Sequence, residues 1–106
     1  MMILEHDLKL LKHIGVARLV SDKYFLLGIL ANKAIEHFSG TPLPKEDIVL
    51  AERGLAILTN THEDFSFFIG FFKGTLDNYG IDEKYLWSTI YYFIGDLIEL
   101  HKGGVL

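Results

Sequence analysis

The stretch from Asp64 to Tyr79, with the sequence DFSFFIGFFKGTLDNY, decides how this chain is expected to fold. Read as a helix, it carries phenylalanine on every side, and no charged residue occurs between Phe65 and Phe72. A helix that is apolar in every direction has to be covered on all sides. The sequence therefore predicts that this helix is the organising element and that the rest of the chain, or a partner, surrounds it.

Four further segments repeat apolar residues at spacings of three and four, which is the spacing of one helix face. Ser21, Thr61 and Asp82 are predicted N-caps, and Gly80 and Gly103 are predicted helix ends. The predicted helices cover residues 3–20, 21–38, 44–58, 61–79 and 82–102. No segment alternates apolar and polar residues between hairpin turn signals. We therefore predict an all-α fold, a compact bundle of about five helices with short connections and no sheet.

The domain organisation follows from length and from the two prolines, Pro42 and Pro44. Proline disfavours helical geometry at the residue before it, so residues 39–44 are predicted to be a linker. This linker joins a front helix pair, residues 3–38, to a back helix trio, residues 44–102. At 106 residues the whole chain, 1–106, is predicted to be a single helical domain.

A homodimer is predicted from the apolar content. Half of the residues are hydrophobic, although a domain of this size has little interior. Residues 65–72 and 85–95 both lack a charged face, and we expect that five helices cannot enclose both segments. A two-fold interface on the fourth and fifth helices would cover the remainder. The predicted interface residues are Phe67, Gly70, Phe71, Gly74, Trp87, Tyr91, Ile94 and Ile98.

Composition restricts the classes of partner and the cellular compartment that we expect. The net charge of −4 disfavours nucleic acid, because phosphate-binding proteins are usually basic. The absence of cysteine excludes disulfides, zinc thiolates and thiol nucleophiles. The absence of glutamine, together with many Glu and Lys residues, predicts a thermophilic source. Glu5, Asp7 and Lys9 interrupt the first apolar run, and no uncharged run approaches the ~20 residues of a membrane span, so a cytoplasmic protein is predicted.

The polar residues form no recognised catalytic motif. The sequence contains no phosphate-binding loop, nucleophile elbow or HExxH. No acidic residue precedes a histidine by three positions, as it does in di-metal carboxylate bundles. Acid and imidazole groups are merely adjacent, at Glu5-His6, Glu36-His37 and His62-Glu63-Asp64. We therefore assign no catalytic residue, metal ligand or cofactor, and predict that the protein is not an enzyme.

Three hypotheses about function remain open at this point. The first is a helical protein–protein interaction or assembly module, favoured by an apolar surplus without a catalytic motif. The second is a small-molecule or metal-binding protein, with a pocket between helices lined by His37, Tyr91 or Tyr92. The third is an accessory or inhibitor subunit of a nucleic-acid-processing complex, acting through the basic residues between Lys9 and Lys23 or through acidic surface.

Overall fold

The computed structural model describes residues 3–16, 19–20, 24–38 and 40–106. The described chain contains five α-helices: α1 Leu11–Ile14, α2 Tyr24–Phe38, α3 Lys45–Thr59, α4 His62–Asn78 and α5 Leu86–Lys102. Single 3-10 helices at Glu5–Leu10 and Glu83–Tyr85 precede α1 and α5. These residues contain no strand, and the predicted all-α bundle is confirmed. The predicted N-cap Ser21 lies outside the described residues, as do Arg18 and Lys23.

The central helix is α5, which packs mainly against α2 and α3. Eleven of its 17 residues are buried. In α4, by contrast, only Phe68, Phe72 and Leu76 are buried. The prediction that the segment from Asp64 to Tyr79 is the surrounded, organising element is therefore wrong.

The reason lies in the residues of α4 other than phenylalanine. Ser66, Gly70, Lys73 and Asp77 recur at spacings of three and four, and all four are exposed. They form an outward face of small and charged residues that the high phenylalanine content obscures. One side of α4 therefore faces the outside of the molecule.

The front of the chain is also less regular than predicted. The expected continuous helix over residues 3–20 begins instead as a 3-10 helix followed by the short α1, which ends at Ile14 and is interrupted by Gly15. Gly15 has a φ of +69°, in the left-handed region that glycine adopts without strain. The backbone N–H of Ile3 donates a hydrogen bond to the buried hydroxyl of Tyr91, at 3.1 Å. This bond attaches the first described residue to α5.

Local signals set several of the other helix ends as predicted. The Thr61 hydroxyl accepts a hydrogen bond from the Asp64 N–H at 3.1 Å and caps α4. The Asp82 carboxylate accepts one from the Lys84 N–H at 2.8 Å, so it caps the 3-10 helix that leads into α5. Gly80, between α4 and this turn, has a φ of +68°. The predicted caps at Thr61 and Asp82 are confirmed. Asp82 caps the 3-10 helix that precedes α5 rather than α5 itself.

Helices α2 and α4 lie side by side and run in the same direction. The rings of Tyr24 and Phe71 meet edge to face at 6.5 Å, and the Tyr79 hydroxyl donates a hydrogen bond to Asn32 Oδ1 at 2.8 Å. Both pairs are 47 residues apart in sequence, so the two helices advance together. Because α3 returns the chain between them, the first turns of α2 and α4 lie at the same end of the molecule.

The core between α4 and α5 is aromatic. Phe93 of α5 packs against Phe68 and Phe72 of α4, with ring centroids 5.9 and 5.0 Å apart. All three side chains are fully buried. Among the described residues, no helix combines the length and the apolar character that crossing a lipid bilayer requires.

Candidate functional site

A continuous exposed aromatic surface lies across α2 and α4. We call it the aromatic face, and it consists of Tyr24, Phe25, Ile29, Phe67 and Phe71. Phe25 is 70% exposed, Ile29 56%, Tyr24 55% and Phe67 40%. Phe71 is half-buried, and its ring lies 6.5 Å from that of Tyr24 and 6.3 Å from that of Phe67. Phe71 therefore joins the exposed residues of the two helices into one surface.

The geometry of α2 explains why these side chains point outward. Leu27, Ala31 and Ala34 occupy its buried side. Phe25 and Ile29 each lie two positions from Leu27, which is roughly 200° around a helix. Their side chains therefore point away from the core, and no described element covers them.

The predicted interface residues on α4 are all at or near the surface. Phe67 and Phe71 belong to the aromatic face. Gly70 and Gly74 are exposed, and a Cβ atom at either position would meet nothing within 4 Å in the described chain. Trp87, at the start of α5, is half-buried, and its ring lies 6.2 Å from that of Phe65.

The remaining predicted interface residues, Tyr91, Ile94 and Ile98, lie in the core of their own chain. This burial corrects the prediction that they are interface residues, because a side chain enclosed by its own domain cannot face a partner. The physical reason is that α2 and α3 cover the two apolar sides of α5. The other described helices therefore enclose α5, whereas α2 and α4 keep large apolar side chains at the surface.

Sequence reasoning missed Tyr24, Phe25 and Ile29. The signal was present, since Phe25 and Ile29 follow a spacing of four that stands opposite the buried line through Leu27 and Ala31.

A polar pair, His37 and Asp96, joins α2 to α5. Asp96 is buried on α5, and among the described residues its Oδ2 atom accepts no hydrogen bond. The Nδ1 atom of His37 on α2 lies 3.7 Å from Oδ2. Burial raises the pKa of the Asp96 carboxyl, and the charges of Lys33 and His37 only partly oppose that rise.

The His37 ring meets Tyr92 edge to face at 6.0 Å, and the Tyr92 ring meets that of Tyr91 at 5.5 Å. The Tyr91 hydroxyl accepts the hydrogen bond from the Ile3 N–H. The structure thus places the three residues predicted to line a pocket next to one another. Within the described ranges, no three His, Asp or Glu side chains converge as metal ligands would.

Comparison with known proteins identifies no relative. No protein-family model, curated protein or solved structure matches this chain. The surfaces of the protein are therefore the evidence for its function.

Proposed function

We propose that this protein is a non-enzymatic helical assembly module that forms a homodimer through the aromatic face. The observation that carries the proposal is the 70% exposure of Phe25 within a patch that also contains Tyr24, Ile29 and Phe67. An exposed apolar patch of a few hundred Å² on a soluble protein is often a functional surface. Pairing two copies of the same face removes this surface from water in both.

The size of the face fits the centre of a protein interface. An aromatic side chain offers about 150–250 Å² of surface, so the exposed parts of Tyr24, Phe25 and Phe67 amount to roughly 300 Å². A standard interface buries about 800 Å² per partner, with an apolar centre and a polar rim. The aromatic face would supply the centre, and exposed polar residues around it would supply the rim.

Charges at the two ends of the face favour a second copy as the partner. Glu63 lies one turn before Phe67 on α4, and Lys33 lies one turn after Ile29 on α2; both are exposed. Because α2 and α4 are parallel, these charges stand at opposite ends of the face. A two-fold axis perpendicular to both helices makes the helices of the two copies antiparallel. The Lys33 end of one copy then lies over the Glu63 end of the other, so opposite charges meet.

The oligomeric state tests the proposal directly. Light scattering coupled to size exclusion at micromolar concentration should give twice the 12.1 kDa of one chain. The substitutions Phe25→Asp and Ile29→Asp should each convert the dimer to monomer. Val49→Asp is the matched control, because Val49 is an exposed apolar residue on α3, outside the face. A monomeric wild type, or dissociation by Val49→Asp as well, would overturn the proposal.

A charge exchange tests the two-fold arrangement. Lys33→Glu and Glu63→Lys should each weaken the dimer, because each places like charges at both ends of the interface. The double variant should recover wild-type association. If the double variant is weaker than either single variant, the proposed orientation of the two copies is wrong.

A further inference from the structure

We infer that a second surface, separate from the aromatic face, binds an acidic amphipathic peptide segment of another protein. This surface is an open groove of about 390 Å³ between the N-terminal segment and α3. We call it the cationic groove. Its lining includes Leu8, Lys9, Lys12, Arg53 and Ile57.

The cationic groove combines an apolar floor with a basic rim. Ile57 is half-buried and leaves aliphatic surface in the groove, whereas Leu8 is buried and contributes little. Lys9 and Lys12 are exposed one turn apart, and neither forms an ion pair with any described residue. Arg53 pairs with Glu5, whose carboxylate also lines the groove. Three cations therefore face one carboxylate, in a protein whose net charge is −4.

A second groove adjoins the cationic groove. This larger groove of about 800 Å³ shares Lys12 and Ile57 with it and continues to the junction of α3 and α4, where Asn60 and the Asp64 carboxylate line it. Unpaired lysines beside aliphatic surface are complementary to a segment that presents leucine on one side and glutamate on the other. The charges and the shape of the groove therefore both favour an acidic amphipathic peptide segment.

The lining disfavours single-stranded nucleic acid as the occupant. Proteins that bind single strands stack bases on aromatic side chains. No Phe, Tyr or Trp of the described chain lines either groove, and His6 is the one ring-bearing side chain among their lining residues. Exposed phenylalanine occurs instead on the aromatic face.

Fluorescence anisotropy with labelled peptides tests the inference. The probe is a short helix-forming peptide with Leu on one face and Glu on the other, and the comparison peptide has Lys in place of Glu. We expect the wild-type protein to bind the acidic peptide, with an affinity that falls as salt increases. Lys9→Glu with Lys12→Glu should weaken binding by roughly tenfold or more. Lys45→Glu, an exposed lysine at the start of α3 and outside both grooves, should leave the affinity unchanged.

Several outcomes would overturn the inference. Equal affinity for the acidic and basic peptides would do so, as would an equal loss with Lys45→Glu. Binding of a thymidine oligonucleotide without binding of the acidic peptide would replace it with a nucleic-acid surface. Circular dichroism checks that the double variant is folded. If it is not, the neutral pair Lys9→Gln and Lys12→Gln provides the same comparison with a smaller expected loss.

Discussion

Gly54 of α3 lies directly against Ile94 of α5. A Cβ atom added at Gly54 would stand 3.0 Å from the Ile94 Cδ1 atom and 3.3 Å from Cδ1 of Leu11. Helices α1, α3 and α5 therefore meet at a point where an added Cβ atom would force neighbouring side chains to shift by a few tenths of an ångström. This close contact helps to enclose Ile94 within its own chain.

Gly54→Ala should destabilise the protein, because the added methyl group has to displace a packed side chain. We expect a loss of about 1–3 kcal/mol in the free energy of unfolding, although alanine favours helix more than glycine does. Gly74→Ala on α4 is the matched control, since its Cβ would enter open space. It should raise the stability by about 0.5–1 kcal/mol. Urea denaturation measures both, and changes of the same sign would contradict this account.

Two phenylalanines of α4 should respond very differently to truncation. Phe72 is fully buried against Phe93, so Phe72→Ala should cost about 3–5 kcal/mol of stability. Phe67 is partly exposed, and Phe67→Ala should cost on the order of 1 kcal/mol or less. Thermal unfolding followed by circular dichroism distinguishes them. Similar losses at both positions would show that the two sides of α4 are equally enclosed.

Asp7 should make the protein sensitive to acid. Burial alone would raise the pKa of this carboxyl, but the hydrogen bond from the Leu4 N–H at 3.1 Å and the Lys102 ammonium 3.0 Å away together hold the pKa below its usual value. The resulting stability is present above the unfolded pKa of about 3.9 and is lost as pH falls through the folded pKa.

The variant Asp7→Asn tests this linkage. It keeps an acceptor for the Leu4 N–H but loses the charge that pairs with Lys102, so it should be about 1–2 kcal/mol less stable than wild type at pH 7. The difference should shrink as pH falls below about 4, because wild-type Asp7 then becomes protonated. Denaturation measured from pH 7 to pH 2 shows the trend. A constant difference over this range would contradict it.

Asp96 should behave in the opposite way. Its pKa is raised by burial, so its contribution to stability is fully present below the unfolded pKa of about 3.9 and is lost as pH rises through the folded pKa. Asp96→Asn removes the buried charge and should be more stable than wild type at pH 7, by about 1 kcal/mol. That advantage should diminish toward pH 4. Asp77→Asn, at an exposed carboxylate on α4, should show no comparable gain.

The helices were predictable because their signals are local. The buried lines of α5 follow from spacings of three and four, and the caps at Thr61 and Asp82 follow from side chains within three residues of the bonds they make. Which helix is central could not be read in this way. It depends on which neighbours cover each face, and α4 and α5 look similarly apolar until α2 and α3 are placed.

The candidate sites were less accessible from sequence for the same reason. The Asp7–Lys102 and His37–Asp96 pairs join residues far apart in the chain, so no spacing rule connects them. The α2 part of the aromatic face could be predicted from sequence, because helical spacing places Phe25 and Ile29 opposite the core. Its continuation onto α4 requires the parallel alignment of two helices that are not adjacent in sequence.

The attachment of the first turn to the last helix has a consequence for the order of local opening. Ile3 bonds to Tyr91, 88 positions further along the chain, and the turn it leads into is a 3-10 helix with weaker hydrogen-bond geometry than α5. Closing so long a loop is entropically costly, so this segment should dock late in folding and detach first. Its amide protons should exchange with deuterium fastest and those of α5 slowest. A peptide held in the cationic groove would slow exchange in this segment, because the groove exists only while the segment is docked.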